Sequence, residues 1–236
     1  MKLIIADDIV DMFPELRIGI VIARGVNNFG YSDEIETLKQ ATAEAVRRIF
    51  SSETLSQHPY IAAWRETYRR FGTNPKKYRP TAEALLRRIL RGEGIPTISK
   101  VVDLYLVVEA EFYLPIGGYD LDKITGDIIL RLSPGGECFI PLGMPQVEER
   151  TYPGEVVYSD ANKVLTRRWN YRDCDFAKIT NESRNVALFC EAALSDIPTA
   201  HLARCVQQLA VYLQRFCNGS IVTHLVEARL TREQEL

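Results

Sequence analysis

Several absences narrow this chain of 236 residues before any motif is read. It has no excess of charge: 29 lysines and arginines stand against 31 aspartates and glutamates, a formal net charge of −2. No whole-molecule field therefore draws it to nucleic acid or to an anionic membrane, and any basic site has to be local. It has no long hydrophobic run. The apolar stretch from Ile18 to Ala23 falls far below the ~18 residues of a membrane helix, and the opening Met1 to Ala6 is broken at once by Asp7, Asp8 and Asp11, so it reads as a first strand and not as a signal-peptide core. The five cysteines, Cys138, Cys174, Cys190, Cys205 and Cys217, never come closer than twelve residues. That spacing offers no Cys-x-x-Cys pair for zinc or thiol exchange and fits reduced thiols in a cytoplasmic protein. The three histidines, His58, His201 and His224, are equally scattered, so no metal and no other cofactor is expected. There is no Gly-x-x-x-x-Gly-Lys-Ser/Thr phosphate loop, no Gly-x-Gly-x-x-Gly turn, no Gly-x-Ser-x-Gly elbow and no Cys beside a His. A nucleotide fold and a covalent nucleophile are both unsupported.

What is present is an ordinary globular composition, 46% hydrophobic and 25% charged. The length suits one large domain and is too short for a complete multi-domain synthetase; with no linker or repeat in view, residues 1–236 read as a single domain. Strand character in Leu16 to Ala23 is followed by helical patterning in Ser32 to Phe50, where Ser32 is an N-cap and Arg47 and Arg48 close the last turn. Further helices are expected over Pro59 to Phe71 and Thr81 to Arg91, so the first ninety-odd residues read as a helical layer. Ser99 to Phe112 stays ambiguous by periodicity, because its valines favour a strand that Asp103, Glu109 and Glu111 interrupt. Beyond it, Ile128 to Leu132 and Cys138 to Leu142 flank Ser133-Pro134-Gly135-Gly136 and read as a hairpin. Strands are expected at Glu155 to Ser159, Val164 to Trp169, Val186 to Glu191 and Ile221 to Ala228, with an amphipathic helix from Thr199 to Phe216. The class is α+β: a helical N-terminal part packed on a β-rich, barrel-like or mixed-sheet C-terminal part with a long C-terminal helix.

Three constellations carry chemistry. Between Arg65 and Arg91, the residues Arg65, Arg69, Arg70, Lys76, Lys77, Arg79, Arg87, Arg88 and Arg91 face only Glu66 and Glu83 as acids. Interleaved with Trp64, Tyr68, Phe71 and Tyr78, such a block can hold a phosphate backbone and stack on an unpaired base; two solvated helix faces would give the same pattern. The second, Arg167-Arg168-Trp169-Asn170-Tyr171-Arg172-Asp173, gathers aromatic, amide, guanidinium and carboxylate groups just after a predicted strand, where sites are commonly built. A surface turn anchored by a buried tryptophan is its plainer alternative. The third, Leu114-Pro115-Ile116-Gly117-Gly118-Tyr119-Asp120-Leu121-Asp122-Lys123-Ile124, has a Gly-Gly pair that admits close approach of a ligand or serves a tight turn.

Val101-Val102-Asp103 followed by Leu114 to Ile124 resembles the editing and tRNA-binding domain of the phenylalanyl-tRNA synthetase β chain, which carries Val-Val-Asp-(Val/Ile)-Thr-Asn-Tyr and then Gln-Pro-(Leu/Met)-His-Ala-Phe-Asp-Leu at the same spacing. Thr180-Asn181-Glu182-Ser183-Arg184-Asn185-Val186 leading to Cys190-Glu191-Ala192-Ala193 is similar to that family's Thr-Glu-Glu-Thr-x-Asn-Val-Leu-Leu-Glu-Ala-Ala, with the Glu two residues later here. The resemblance spans roughly residues 60–230, implies a free-standing relative of the domain, and makes Ser99 to Phe112 a helix.

The resemblance implies binding of the acceptor end of tRNA and hydrolysis of a mischarged aminoacyl ester such as tyrosyl-tRNA-Phe in trans. Hydrophobic pockets reject an added hydroxyl weakly, whereas a site that hydrogen-bonds the hydroxyl discriminates strongly; a Glu matching Glu191 has that role in the family. Three polar positions depart: the family's Thr-Asn pair corresponds to Tyr105 and Leu106, its His to Gly117. Its Gly-rich loop corresponds to Trp169 to Asp173, which is expected to rebuild the site. Asp173 and Asn170 are then the catalytic candidates; Glu191, Tyr105, Gly117, Gly118, Arg172 and Trp169 line the amino-acid site; and Arg65, Arg69, Arg70, Lys76, Lys77, Arg79, Arg87 and Arg88 hold tRNA. Loss of the His leaves open a non-catalytic tRNA or amino-acid binding module, and an interaction protein that keeps only the fold.

Overall fold

In the computed structural model, which describes residues 1–236, strand β1 (Lys2–Ile5), the short helix α1 (Asp7–Met12) and strand β2 (Arg17–Arg24) lead into helices α2 (Asp33–Ile49), α3 (Pro59–Arg70), α4 (Thr81–Leu90) and α5 (Lys100–Phe112). Next come β3 (Ile116–Asp120), β4 (Ile128–Leu132), β5 (Cys138–Phe139), β6 (Glu149–Arg150), β7 (Val156–Ser159), β8 (Val164–Arg167), β9 (Arg172–Asp173) and β10 (Asn185–Ala192). The chain closes with α6 (Thr199–Cys217), β11 (Ser220–Glu227) and β12 (Glu233–Glu235). No helix is long and apolar enough to cross a membrane.

Local chemistry explains the helix ends. The Ser32 hydroxyl accepts from the Ile35 amide and caps α2, whose first turn carries Asp33, Glu34 and Glu36. In α5 the capping comes from inside the helix, for the Asp103 carboxylate accepts from the amides of Ile98 (2.8 Å) and Ser99 (3.3 Å). This settles the ambiguous segment: the valines of α5 are buried because the helix is enclosed by α2, α4, α6 and β3, so a helix apolar nearly all round is stable here.

Two sheets make the frame, and the class is α+β with no closed barrel. The six-stranded sheet runs β12-β1-β4-β7-β8-β9, with β1 and β4 parallel and its other pairs antiparallel; the four-stranded sheet runs β11-β2-β10-β3 and is wholly antiparallel. Two expectations change. The first ninety residues are more than a helical layer, since β1 enters one sheet and β2 lies inside the other. The hairpin after Ile128 does not form: both edges of β4 are taken, by β1 and β7, and Cys138–Phe139 pairs with β6 instead. Ser133 turns the chain away by binding Glu137 (2.5 Å) and Thr151 (2.8 Å) through its hydroxyl, so the Gly-Gly turn leads outward. Strand β8 also stops at Arg167, two residues short of Trp169.

The main core holds 55 buried residues and joins both sheets to α5 and α6, while a smaller cluster of 12 lies among α2, α4 and α5. Helix α6 covers one face of the four-stranded sheet. Gly19 on β2 makes that seat, because a Cβ there would lie 2.1 Å from a methyl of Val206 on α6. Gly19→Ala is therefore expected to cost about 1–3 kcal/mol as overpacking. In urea denaturation, Gly19→Ala combined with Val206→Ala should lose clearly less than the sum of the two single losses; simple additivity would refute the contact.

Candidate functional site

The site lies between the two sheets. Register aligns Tyr158 of β7 with Thr166 of β8, and Thr166 with Asp173 of β9, in one row across the six-stranded sheet. Facing that row from the four-stranded sheet are Tyr119 on β3 and, two residues apart on β10 and so on one face, Phe189 and Glu191. The rings of Tyr158 and Phe189 stack at 5.7 Å, and the Tyr119 hydroxyl meets the Thr166 hydroxyl at 2.5 Å.

Between β8 and β9 the backbone does something unusual. Arg168 (φ 48°) and Trp169 (φ 67°) are successive non-glycine residues in the left-handed region, a conformation that costs about 1–2 kcal/mol per residue and persists where the surroundings over-determine it. Glu155 supplies the restraint. Its buried carboxylate accepts two bonds of 2.9 Å from the Arg167 guanidinium and one of 3.1 Å from the Arg168 amide. The Trp169 amide donates to the Val156 carbonyl at 2.8 Å, and its indole lies edge-on to Phe13 and Trp64 at 4.8 and 5.3 Å.

The turn aims Trp169 and Asn170 at Glu191. One carboxylate oxygen of Glu191 accepts from the Tyr158 hydroxyl (2.5 Å) and from the Trp169 indole N–H (2.7 Å); the other accepts from the Asn170 amide (3.2 Å). Asn170 is itself fixed, since its Oδ1 accepts from Tyr68 on α3 at 2.7 Å. Burial pushes the Glu191 carboxyl up to about 7, against the pull of its three donors toward the charged form. Asp173 accepts at 2.6 Å from Thr166 through Oδ1, and burial raises its carboxyl as well. One helical turn beyond Tyr105, Glu109 is wholly enclosed with neither carboxyl oxygen in hydrogen-bond geometry, and burial holds it well above the usual carboxylate range. The nearby Thr81 hydroxyl and Ile116 amide offset this only in part.

Seven of the residues singled out by sequence line one small cavity of about 70 Å³: Tyr105, Gly117, Trp169, Asn170, Arg172, Asp173 and Glu191. Gly118 falls in the wall of an adjoining cavity of about 270 Å³, which shares Tyr105, Tyr119 and Asp173 with the first. The two glycines differ. A Cβ on Gly118 would lie 2.4 Å from the Ala187 carbonyl, so that position is closed, whereas a Cβ on Gly117 meets nothing within 4 Å. Sequence reasoning missed Tyr158, Thr166 and Glu109, and it placed Tyr68 with the RNA-stacking aromatics and not beside Asn170. The only signal for the first two is cross-strand register, which one sequence does not display. The largest cavity, about 540 Å³, lies elsewhere and shares no residue with the Glu191 chamber. Most of its charged groups are already paired, Arg131 with Glu137 and Asp175 with Lys178.

The basic block divides. Arg65 and Arg87 both converge at 2.8 Å on Glu83, which is fully buried, and so knit α3 to α4. Arg69 and Arg70 pair with Glu66, and Arg88 with Glu93. Lys76, Lys77 and Arg79 are exposed and make no ion pair. They flank Tyr78, which packs on Tyr171 at 5.1 Å and carries the Arg168 guanidinium over its ring at 3.9 Å. No group of His, Cys, Asp and Glu has a metal-binding arrangement.

An α+β frame with a buried carboxylate chamber between its sheets thus defines the class of protein. The family model described as B3/4 domain matches residues 63–218, and the chain belongs to that family. Over 64 residues it is 41% identical to the phenylalanine–tRNA ligase beta subunit of Leifsonia xyli subsp. xyli (strain CTCB07); the match covers 27% of this chain and 7% of the ligase subunit. A solved N-terminal fragment of the phenylalanyl-tRNA synthetase beta-subunit from Pyrococcus horikoshii is similar at a TM-score of 0.43 and 14% identity, over 87% of this chain and 48% of the fragment. The chain therefore corresponds to a small part of the ligase subunit it matches.

The raised Glu191 carboxyl has a consequence for stability. Its folded value, about 7, exceeds its ordinary value of 4.5, so the folded state binds the extra proton and stability falls as pH rises from 4.5 through 7. Glu191→Gln should flatten that decline in urea midpoints measured at pH 5 and pH 8. An unchanged slope would refute a proton held at Glu191.

Proposed function

We propose that this chain binds the aminoacylated end of a tRNA and hydrolyses the ester in trans. The observation that carries the reading is the convergence of Glu191, Asp173, Tyr105 and Trp169 on one chamber in a chain of the B3/4 domain family. Asp173 is the group we assign to activating water. It keeps one carboxylate oxygen outside its bond to Thr166, burial raises its basicity toward the working pH, and the chamber has room for water. Asn170 is a positioning residue, held between Tyr68 and Glu191. The acidic wall suits the α-ammonium group of an aminoacyl ester, and exposed Lys76, Lys77 and Arg79 suit the tRNA backbone. Five free thiols suit the reducing cytoplasm, where we place this activity.

The amino acid read is smaller than tyrosine. Tyr158 of this chain already places a phenolic hydroxyl on Glu191, the contact that a substrate tyrosine would make. A chamber of about 70 Å³ is also well below the ~300 Å³ at which pockets for drug-sized ligands begin. A second reading, a binding module without hydrolysis, is favoured by Gly117, which leaves open space at the position where the resembling family carries its His.

Release of amino acid from a panel of tRNAs charged with glycine, alanine, serine, phenylalanine or tyrosine separates the two. Hydrolysis of one small aminoacyl ester is expected, slowed ~10²- to 10⁴-fold by Asp173→Asn. No turnover by the wild type, with turnover gained in Gly117→His, would establish the binding module.

A further inference from the structure

We infer that the chamber is one end of a continuous groove along α5 that takes a single-stranded RNA 3′ end, with the exposed loop before α2 as its base-stacking platform. This rests on the tRNA-end reading above and extends it to residues outside the 63–218 family match.

Three cavities meet end to end. The Glu191 chamber shares Tyr105, Tyr119 and Asp173 with the cavity of about 270 Å³. That cavity shares Ile98 and Asn181 with a third, of about 260 Å³, whose wall includes Phe29, Tyr31, Ser99 and Lys100. One stripe of α5 and its lead-in, Ile98, Val102 and Tyr105, forms the floor throughout, as helical spacing of three and four residues requires.

The far cavity carries the chemistry of an unpaired nucleotide. Phe29 and Tyr31 are 72% and 67% exposed, an arrangement with no folding rationale that supplies two aromatic faces for bases. Ser99 lines the cavity, and its buried hydroxyl has no hydrogen-bond partner within the protein. Lys100 makes no ion pair and stands at the positive end of the α5 dipole. The acids of this wall are already committed: Glu36 and Asp103 both bind Lys39, at 2.5 and 3.2 Å. Along the middle stretch Thr180 and Asn181 add polar edges, and Lys178, paired with Asp175, stays exposed. Around the two aromatic residues, Ile35 and Ile98, the wall of the far cavity carries Ser32, Thr97, Ser99 and Asn181, and its one charge without a partner is the cation Lys100, which fits RNA better than an apolar peptide.

The test uses a 5′-fluorescein single-stranded RNA of about eight nucleotides with a free 3′-hydroxyl, followed by anisotropy, alongside the hydrolysis panel. Wild type is expected to bind, and Phe29→Ala/Tyr31→Ala to weaken binding on the order of 10-fold for each stacked base lost. Both side chains are exposed, so the variant folds; Ser99→Ala gives a second, smaller loss. Equal affinity in wild type and the double variant overturns the groove, whatever happens to hydrolysis. Hydrolysis of a charged tRNA without binding of the RNA likewise overturns the groove and leaves the deacylase reading standing. Neither binding nor hydrolysis fails both, and binding of an apolar peptide in place of the RNA assigns the groove to a protein partner and overturns this inference.

Discussion

The carboxylate of Glu155 is the constraint on which the site depends. It is enclosed with Arg167, both being at most 5% exposed, and buried ion pairs of this kind contribute little net stability once desolvation is counted. Its value is geometric. By holding the Arg167 guanidinium and the Arg168 amide at once, it fixes two left-handed residues that no glycine eases, and the direction of the chain from Trp169 to Asp173 follows. Trp169 and Asn170 then point to Glu191, and Asp173 returns beside Thr166. A glycine-rich turn at this place would adopt the same φ values without strain and without an indole or an amide to offer. The bulky loop costs backbone strain and supplies two of the three donors on Glu191.

Much of the fold was legible because its signals are local. The Ser32 cap, the acids and arginines at the two ends of α2, and the period of α6 each act within one or two turns, and the sequence shows them directly. Two features were not legible. Strand partners are chosen by long-range register, so a Gly-Gly turn between two apolar runs reads as a hairpin even though β4 has both edges occupied by β1 and β7. Periodicity also fails for α5, where enclosure on all sides removes the polar stripe that marks an ordinary surface helix.

The site divides along the same line. Trp169 to Asp173 were found as unusual residues within a short motif, Glu191 and Tyr105 only through the resemblance to a family, and the two sheets with α5 bring them to one chamber. Tyr158 and Thr166 sit in apolar strands, where a single Tyr or Thr reads as core, and only the alignment of three strands puts them in one row with Asp173. The basic block shows the converse. Its spacing is plain in the sequence, but the burial of Glu83 is not, and that burial takes Arg65 and Arg87 out of the solvent-facing set. What stays without an ion pair is the short Lys76 to Arg79 segment, whose Tyr78 packs on Tyr171 in the chamber wall.

The charge balance of the chamber narrows its chemistry further. Burial dominates the raised carboxyls of Glu191, Asp173 and Glu109, and the Asp173 charge raises the other two as well. Groups coupled in this way share protons, so the first to ionise holds the others back. Arg172, the one cationic side chain in the chamber wall, directs its guanidinium to the Leu142 carbonyl at 3.1 Å. Its charge offsets the burial of Asp173 only in part, so an anionic ligand would meet a net acidic wall, whereas a ligand bearing an ammonium group would relieve the repulsion among the acids and draw a proton off the set as it binds.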